Sequence, residues 1–218
     1  MKLIVYTDKT LKKINPREVR DFIGSLVEDE FKEKIFWHKH IPAPVIISRE
    51  SSRSLALISA YSDIELFEQL KNVLNRRKKI KVNGRECKIV RIVEDRYNFR
   101  IPQLRFSVFR TLTPVIITSC SDELEDYLKV KDKKELLEKY TAEVIKKTVI
   151  HHVKFYLNRE VDMEDFYIKF IEKYETGRLE YKNGVFLNYV KGVFASNYSL
   201  PEFVGYRTNF GYGKLKML

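Results

Sequence analysis

Two Asn-Gly dipeptides, Asn83-Gly84 and Asn183-Gly184, constrain how this 218-residue chain can fold. Each lies between two runs of residues with strand-like alternation, and Asn-Gly tolerates the positive φ values that a type I′ turn requires. Two strands joined by so short a turn must pair with each other as a hairpin. The sequence therefore predicts one tight hairpin in each half of the chain.

The first half of the chain alternates strand-like and helix-like segments. Strands are predicted at residues 3–6, 44–48 and 55–59 and in the hairpin of residues 79–94. Amphipathic helices are predicted at residues 16–34 and 63–74 from the spacing of their apolar residues. Asn15-Pro16 supplies an N-cap followed by Pro at the first helical position. The element order is βαββαβ.

The second half repeats this order. A strand is predicted at residues 106–119, a helix at 133–156, a second helical segment at 165–174 and a hairpin at 178–194. A short helix after residue 202 and a final glycine-containing strand complete the half. The fold class predicted is α+β, with tandem ferredoxin-like (RRM-like) βαββαβ domains at residues 1–98 and 99–218.

The charge balance indicates the kind of partner. The chain has 41 Lys and Arg against 30 Asp and Glu, a net charge of +11. Such a field favours a polyanion such as nucleic acid, although Lys-rich surfaces are also typical of thermophile proteins. No apolar run is long enough for a membrane helix or a secretory segment, so a cytoplasmic protein is expected. Cys87 and Cys120 are expected to be core residues.

The C-terminal segment from residue 205 to 214 concentrates groups that can hold a phosphate. Its glycines let backbone N–H groups approach an anion closely, while an arginine and a lysine supply charge. The candidate phosphate-binding residues are Gly205, Arg207, Asn209, Gly211, Gly213 and Lys214. The alternative interpretation is a tight turn before an edge strand.

The densest run of cations consists of Arg76, Arg77, Lys78 and Lys79. A helix end explains two of these charges, because cations are favoured near the negative end of the helix dipole. The others favour contact with a nucleic-acid backbone.

Arginines also recur through the stretch that joins the two halves. Arginines with aromatic residues can grip phosphates and stack on bases, although Phe99 and Phe106 are expected to pack between the halves. No strand carries the aromatic RNP1 pattern of an RNA-recognition motif. The arginines are Arg91, Arg96, Arg100, Arg105 and Arg110.

Three stretches of the chain carry a family resemblance. Residues 205–213 form a glycine-rich ending, Phe109-Arg-Thr-Leu-Thr-Pro114 precedes an apolar strand, and Trp37-His38 is followed by Val45-Ile-Ile-Ser48. In these features, whose spacing covers essentially the whole chain, the sequence resembles the CRISPR-associated Cas-six (Cas6) family of endoribonucleases, within the wider RAMP group.

The resemblance implies a nuclease of antiviral defence that cleaves precursor CRISPR RNA within its repeats. In this reaction the 2′-hydroxyl attacks the adjacent phosphate and leaves a 2′,3′-cyclic phosphate and a 5′-hydroxyl. Neither a metal nor a cofactor is expected. The expected partners are CRISPR repeat RNA, subunits of a CRISPR effector complex and a second copy of the chain in a homodimer.

The family's catalytic histidine lies just after the first helix, where His38 stands with His40 two residues later. A histidine titrates near neutrality and suits either proton-transfer role, and Lys39 is a candidate for stabilising the charge that develops on the phosphate. RNA contact, ordinary surface positions and a His-x-His metal site are the alternatives. The adjacent His151 and His152 are expected to cap or pack.

Two residues used by some family members are not matched in this sequence. Residues 16–34 contain no Tyr, and Ala43 and Pro44 stand where a strand lysine would be expected. Lys39, Lys34 or Arg49 could replace that lysine. Family members that lack the full set can bind RNA with little or no cleavage, so the alternative function is a non-catalytic RNA-binding RAMP subunit of an effector complex.

Overall fold

The computed structural model describes residues 1–11, 14, 16–36, 45–59, 63–97, 99–118, 133–182, 184–208 and 211–218. The chain forms two compact units. Unit 1 consists of Met1–Asn98, Phe155–Leu157 and Asn209–Gly211, and unit 2 of Phe99–Lys154, Asn158–Thr208 and Tyr212–Leu218. Both combine helices with antiparallel strands, so the α+β class is confirmed.

Unit 1 contains a five-stranded sheet in the order β2-β3-β1-β5-β4, in which every neighbouring pair is antiparallel. Its helices lie between β1 and β2 and between β3 and β4. The elements are β1 (Lys2–Thr7), α1 (Pro16–Gly24), α2 (Asp29–Phe36), β2 (Val45–Ser51), β3 (Ser54–Ser59), α3 (Ile64–Arg77), β4 (Lys79–Val82) and β5 (Arg85–Asp95).

The core of unit 1 lies on one face of this sheet. Leu3 and Val5 of β1 are fully buried and belong to one cluster with Val19 of α1 and Leu70 of α3. Burying a side chain of this size contributes about 1.5–3 kcal/mol, so the pattern fixes which face of β1 points inward. Because side chains alternate along a strand, Tyr6 projects from the opposite, outer face.

Two sequence expectations for unit 1 have different outcomes. The hairpin is confirmed, with φ of 52° at Asn83 and 73° at Gly84. The single helix expected at residues 16–34 is instead two helices. The backbone N–H groups of Leu26 and Val27 both donate to the carbonyl of Ile23, at 2.9 and 3.2 Å, which closes α1 soon after Gly24, a poor helix former.

Unit 2 contains two antiparallel sheets, one of four strands in the order β12-β6-β11-β8 and one of three strands in the order β7-β10-β9. Most of the long helix α4 belongs to this unit. The elements are β6 (Gln103–Thr111), β7 (Val115–Thr118), α4 (Lys133–Leu157), β8 (Ile168–Phe170), β9 (Glu175–Lys182), β10 (Val185–Lys191), β11 (Val193–Ser199) and β12 (Leu215–Met217).

Unit 2 departs from the predicted elements in three places. The strand expected at residues 106–119 is divided into β6 and β7 just before Val115, where Pro114 has no N–H to donate. The helical segment expected at residues 165–174 contains β8, which pairs with β11. Of the short helix expected after residue 202, the described residues show only a 3₁₀ conformation at Thr208. In the part of the chain that is described, no helix is long and apolar enough to cross a membrane.

Candidate functional site

The expected catalytic residues His38, Lys39 and His40 lie in the range 37–44, outside the described residues. The chain is described on both sides of this range. Helix α2 ends at Phe36 and β2 begins at Val45. The roles of the three residues therefore stay predictions.

The glycine-rich segment has three glycines in the left-handed region of backbone conformations. The φ values of Gly205, Gly211 and Gly213 are +82°, +72° and +71°. A Cβ atom at Gly205 would lie 2.8 Å from the carbonyl oxygen of Ile116, and one at Gly213 would collide with the carbonyl of Val204. These positions need glycine both for the backbone conformation and for the space.

Two of the glycine amides donate hydrogen bonds within unit 2. The N–H of Gly205 donates to the hydroxyl of Thr148 at 3.0 Å, and the N–H of Gly213 donates to the carbonyl of Pro114 at 2.8 Å. These bonds hold the segment in its turns. Contact between this segment and a phosphate would therefore depend on other donors, of which Arg207 is the strongest described candidate.

Helix α4 supplies the surface that receives the segment. Thr148 donates to the carbonyl of Val144 at 2.8 Å while it accepts from Gly205, and one turn later the Nε2 of His152 lies 3.5 Å from the hydroxyl of Thr208. The sequence did not predict this role for Thr148. The signal that could have indicated it is a hydroxyl group at a core-facing position of a helix, because buried polar groups need hydrogen-bond partners.

His152 is a packing residue, as the sequence predicts. Its side chain is buried, and its ring meets the ring of Phe99 edge to face at 6.3 Å between centroids. Burial lowers the pKa of His152 from 6.5 to about 4, while a hydrogen bond with the backbone of Phe203 opposes the shift. The ring is therefore neutral at physiological pH. The adjacent His151 is exposed.

The two cations of the glycine-rich segment have different surroundings. The Nζ of Lys214 lies 3.1 Å from a carboxylate oxygen of Glu202 and 5.7 Å from the centre of the Phe203 ring. Arg207 is half-buried, with φ of 60°. Asn209 lies outside the described residues. A phosphate at Lys214 would have to compete with Glu202.

The basic run lies where a helix meets a strand in unit 1. Arg76 and Arg77 end α3, Lys78 follows with φ of 53° and an N–H that donates to the carbonyl of Leu74 at 3.0 Å, and Lys79 begins β4. All four basic residues are exposed. The helix dipole accounts for Arg76 and Arg77, whereas Lys78 and Lys79 need another explanation.

Within the described residues, no group of three or more His, Cys, Asp or Glu side chains could hold a metal ion. Cys87 is a free, buried thiol, and burial raises its pKa, in agreement with its predicted place in the core. Cys120 lies outside the described residues.

Comparison with known proteins identifies the fold. No family model matches the sequence, and no curated protein matches it. Among solved structures, a Cas6b protein superimposes with a TM-score of 0.72 at 15% sequence identity, covering 100% of both chains. The chain has the Cas6 fold.

Two further structures extend this likeness. A Cas6b described as a CRISPR RNA processing endoribonuclease matches with a TM-score of 0.56 at 14% identity, covering 100% of both chains. A RAMP protein described as binding different RNA substrates matches with a TM-score of 0.64 at 17% identity, covering 100% of this chain and 99% of that one. The resemblance to Cas6 and RAMP proteins inferred from the sequence is thus confirmed for the fold.

Within this Cas6 fold, the described candidate residues occupy two places. One is the glycine-rich segment of unit 2 with Arg207, and the other is the exposed basic run in unit 1. The fold supplies the framework, and the chemistry has to be argued from these residues.

Proposed function

We propose that the protein is an endoribonuclease that cleaves precursor CRISPR RNA within its repeats. The observation that carries this proposal is the match to Cas6 structures over the full length of the chain, at a TM-score of 0.72 for one of them. The net charge of +11 supports an RNA substrate, because each phosphate that a cation neutralises releases condensed counterions.

The proposed reaction needs a base, an acid and a cation, and no metal ion or cofactor. The base removes the proton of the 2′-hydroxyl, whose oxygen attacks the adjacent phosphorus, and the acid protonates the 5′-oxygen as its bond to phosphorus breaks. His38 and His40 are proposed for the proton transfers. Lys39 is proposed to stabilise the negative charge that develops on the phosphate oxygens.

RNA binding is proposed for the exposed cations and the glycine-rich segment. Arg207 is proposed to meet a phosphate through its guanidinium, with Gly205, Asn209, Gly211, Gly213 and Lys214 as its proposed neighbours in the site. Arg76, Arg77, Lys78 and Lys79 form the second proposed contact.

The proposed architecture consists of tandem ferredoxin-like domains at residues 1–98 and 99–218. In unit 1 four strands have the order β2-β3-β1-β5, and helices lie in the connection from β1 to β2 and in the connection from β3 to β5. Strand β4 is an additional edge strand. In unit 2 the order β8-β11-β6-β12 corresponds to that of the four strands, strand for strand. The β9-β10 hairpin is then an insertion, and the segment at residues 200–214 takes the place of a second helix.

A non-catalytic RNA-binding subunit is the second candidate. The sequence lacks the tyrosine of the first helix and the strand lysine used by some Cas6 enzymes, and a RAMP protein named for RNA binding shares the fold at a TM-score of 0.64. Such a protein would hold CRISPR RNA in an effector complex. A cytoplasmic location, a role in antiviral defence and a homodimer accompany both candidates as proposals.

One experiment separates the two candidates. The purified protein is incubated with labelled repeat RNA from its own genome in EDTA, and the fragment ends are identified. A single cut that leaves a 2′,3′-cyclic phosphate supports the endoribonuclease. Tight binding of RNA that stays intact supports the non-catalytic subunit, and failure to bind repeat RNA contradicts both.

A further inference from the structure

The outer face of the unit 1 sheet, opposite its core, has a covered part and an open part. On β2 and β3 the outer-face residues Ile46, Ala56 and Ile58 are at most 1% exposed. Gly211, which belongs to the same unit, lies against the backbone of Ile47. On β4 and β5 the outer face is exposed to solvent.

The open part carries a strip of cations. Ile80 and Cys87 are directly opposite each other and buried in the core, so their strand neighbours project outward. Lys79 pairs directly with Lys88, and Lys81 pairs with Glu86. The outer basic strip is defined by Lys79, Lys81, Lys88 and Arg91.

The pairing of Lys79 with Lys88 is unfavourable without an anion. Like charges directly opposite on neighbouring strands repel each other. Lys79 has one carboxylate, that of Glu86 at 2.8 Å, and among the described residues no ion pair is formed by the ammonium group of Lys88. A bound phosphate would relieve the repulsion, so the strip is complementary to a polyanion.

An aromatic ring and a guanidinium plane lie at one end of the strip. The guanidinium carbon of Arg91 stands 4.6 Å from the centre of the Tyr6 ring, and the two residues are direct partners across β1 and β5. A β-bulge shifts the register between Tyr6 and Thr7, which is the kind of irregularity that redirects a side chain. Tyr6 is half-buried and Arg91 is exposed, so the ring is placed to orient the guanidinium while the arginine stays accessible to solvent.

We propose that this face binds a single-stranded stretch of RNA, with one base stacked on the guanidinium of Arg91. Tyr6 backs the guanidinium from the other side, and Lys79, Lys81 and Lys88 contact the neighbouring phosphates. Bases that are free of a duplex stack on arginine planes and aromatic rings, and cations track the backbone beside them. The identification of the ligand as RNA rests on the proposed function.

The guanidinium plane of Arg91 distinguishes RNA from an acidic protein as the ligand of this face. An acidic polypeptide would use the charges of the strip but would gain nothing from the face of a guanidinium that lies near a ring, since carboxylates approach arginine in the plane of its N–H groups. Stacking, in contrast, requires the face of that plane. A substitution that keeps the charge and removes the plane therefore tests the proposal.

The test compares Arg91→Lys with Arg85→Lys in the full-length protein. Both residues are exposed and lie on β5, but Arg85 pairs with Val82 and so lies on the core side of the sheet. Affinity is measured by fluorescence anisotropy with a short unstructured RNA and with the same RNA lacking its bases. Thermal melting shows that each variant is folded.

We expect Arg91→Lys to weaken binding of the intact RNA about tenfold, with the same dependence on salt, because the charge remains. Arg85→Lys should bind as the unaltered protein does, and the RNA without bases should not distinguish the variants. Equal affinity of Arg91→Lys and the unaltered protein for intact RNA would overturn the stacking site alone. Failure of the unaltered protein to bind any RNA would overturn the proposed function as well. If polyglutamate displaced the labelled RNA as effectively as unlabelled RNA does, the choice of RNA as the ligand would be overturned.

Discussion

The backbone N–H of Gly205 donates a hydrogen bond to the hydroxyl of Thr148, 3.0 Å away on α4. Both groups are buried, so water does not replace either partner if the other is removed. The bond fixes the start of the segment that carries Arg207 onto α4, the longest of the described helices. The position of Arg207 therefore depends on a threonine that faces the core.

Replacing this threonine should destabilise the protein. Thr148→Val keeps the shape but leaves the Gly205 amide buried without an acceptor, which costs about 1–3 kcal/mol in the free energy of unfolding. Urea denaturation measures the loss. Thr141→Val is the matched control, because Thr141 is as buried on the same helix and its hydroxyl has no hydrogen-bond partner among the described residues. A loss of stability as large in Thr141→Val would show that the bond to Gly205 is not the cause.

Two glycines with nearly the same φ should respond differently to alanine. Gly84 has φ of +73° with open space around a new Cβ atom, so Gly84→Ala should cost only the conformational strain, about 1–2 kcal/mol. Gly213 has φ of +71°, and a Cβ atom there would collide with the carbonyl of Val204. Gly213→Ala should therefore be the more destabilising substitution in thermal unfolding. Equal melting temperatures for the two variants would contradict the close approach at Gly213.

The buried His152 should make stability depend on pH. Its pKa of about 4 in the folded protein lies below the ordinary value of 6.5, so between these values the unfolded chain binds more protons. Stability therefore rises with pH through this window, and a fall from about pH 7 to about pH 5 should cost roughly 2 kcal/mol through this residue. His152→Gln should flatten the pH profile of unfolding in that window. A profile as steep in His152→Gln as in the unaltered protein would assign the effect elsewhere.

Arg207→Ala should weaken RNA binding and reduce its dependence on salt. The logarithm of the binding constant falls with the logarithm of salt concentration by about 0.7–0.9 for each phosphate contact, so the loss of one contact should lower the slope by about that amount. Affinity for repeat RNA is measured across a salt series. Arg53→Ala removes an exposed arginine from unit 1 and is the charge-matched control. Parallel salt slopes for Arg207→Ala and the unaltered protein would exclude a phosphate contact.

His38→Ala should abolish cleavage of repeat RNA while affinity is kept, because a proton-transfer group contributes a factor of about 100 to 10,000 to the rate and little to binding. Cleavage is followed under single-turnover conditions in EDTA. His40→Ala is the companion variant, and retention of cleavage in it would assign the reaction to His38. Loss of cleavage in His40→Ala alone would reverse the assignment of the two histidines.

The sequence predicted those elements that a local pattern specifies. The hairpin at Asn83-Gly84 was predictable because the turn conformation depends on two adjacent residues. Helix α3 was predictable because its apolar stripe is longer than two turns, and its buried residues include Leu66, Phe67 and Leu70.

Elements that depend on distant partners were mispredicted. Strand β8 has only three residues and exists because Phe170 pairs with Phe194 of β11 and its N–H donates to Glu138 of α4, neither of which is nearby in sequence. The same limit applied to the candidate site. The glycines were recognisable, but the use of the Gly205 amide by Thr148 follows from tertiary packing that no spacing in the chain reveals.

Unit 1 is completed by segments that are distant in sequence from its sheet. It contains residues 155–157 and 209–211 as well as Met1–Asn98, and Gly211 lies against the backbone of Ile47. At usual rates of elongation, the roughly 110 residues between positions 98 and 209 take on the order of ten seconds to synthesise. Throughout that interval the backbone of β2 at Ile47 lacks Gly211 beside it. The unit that emerges first from the ribosome is thus completed only after most of unit 2 has been made.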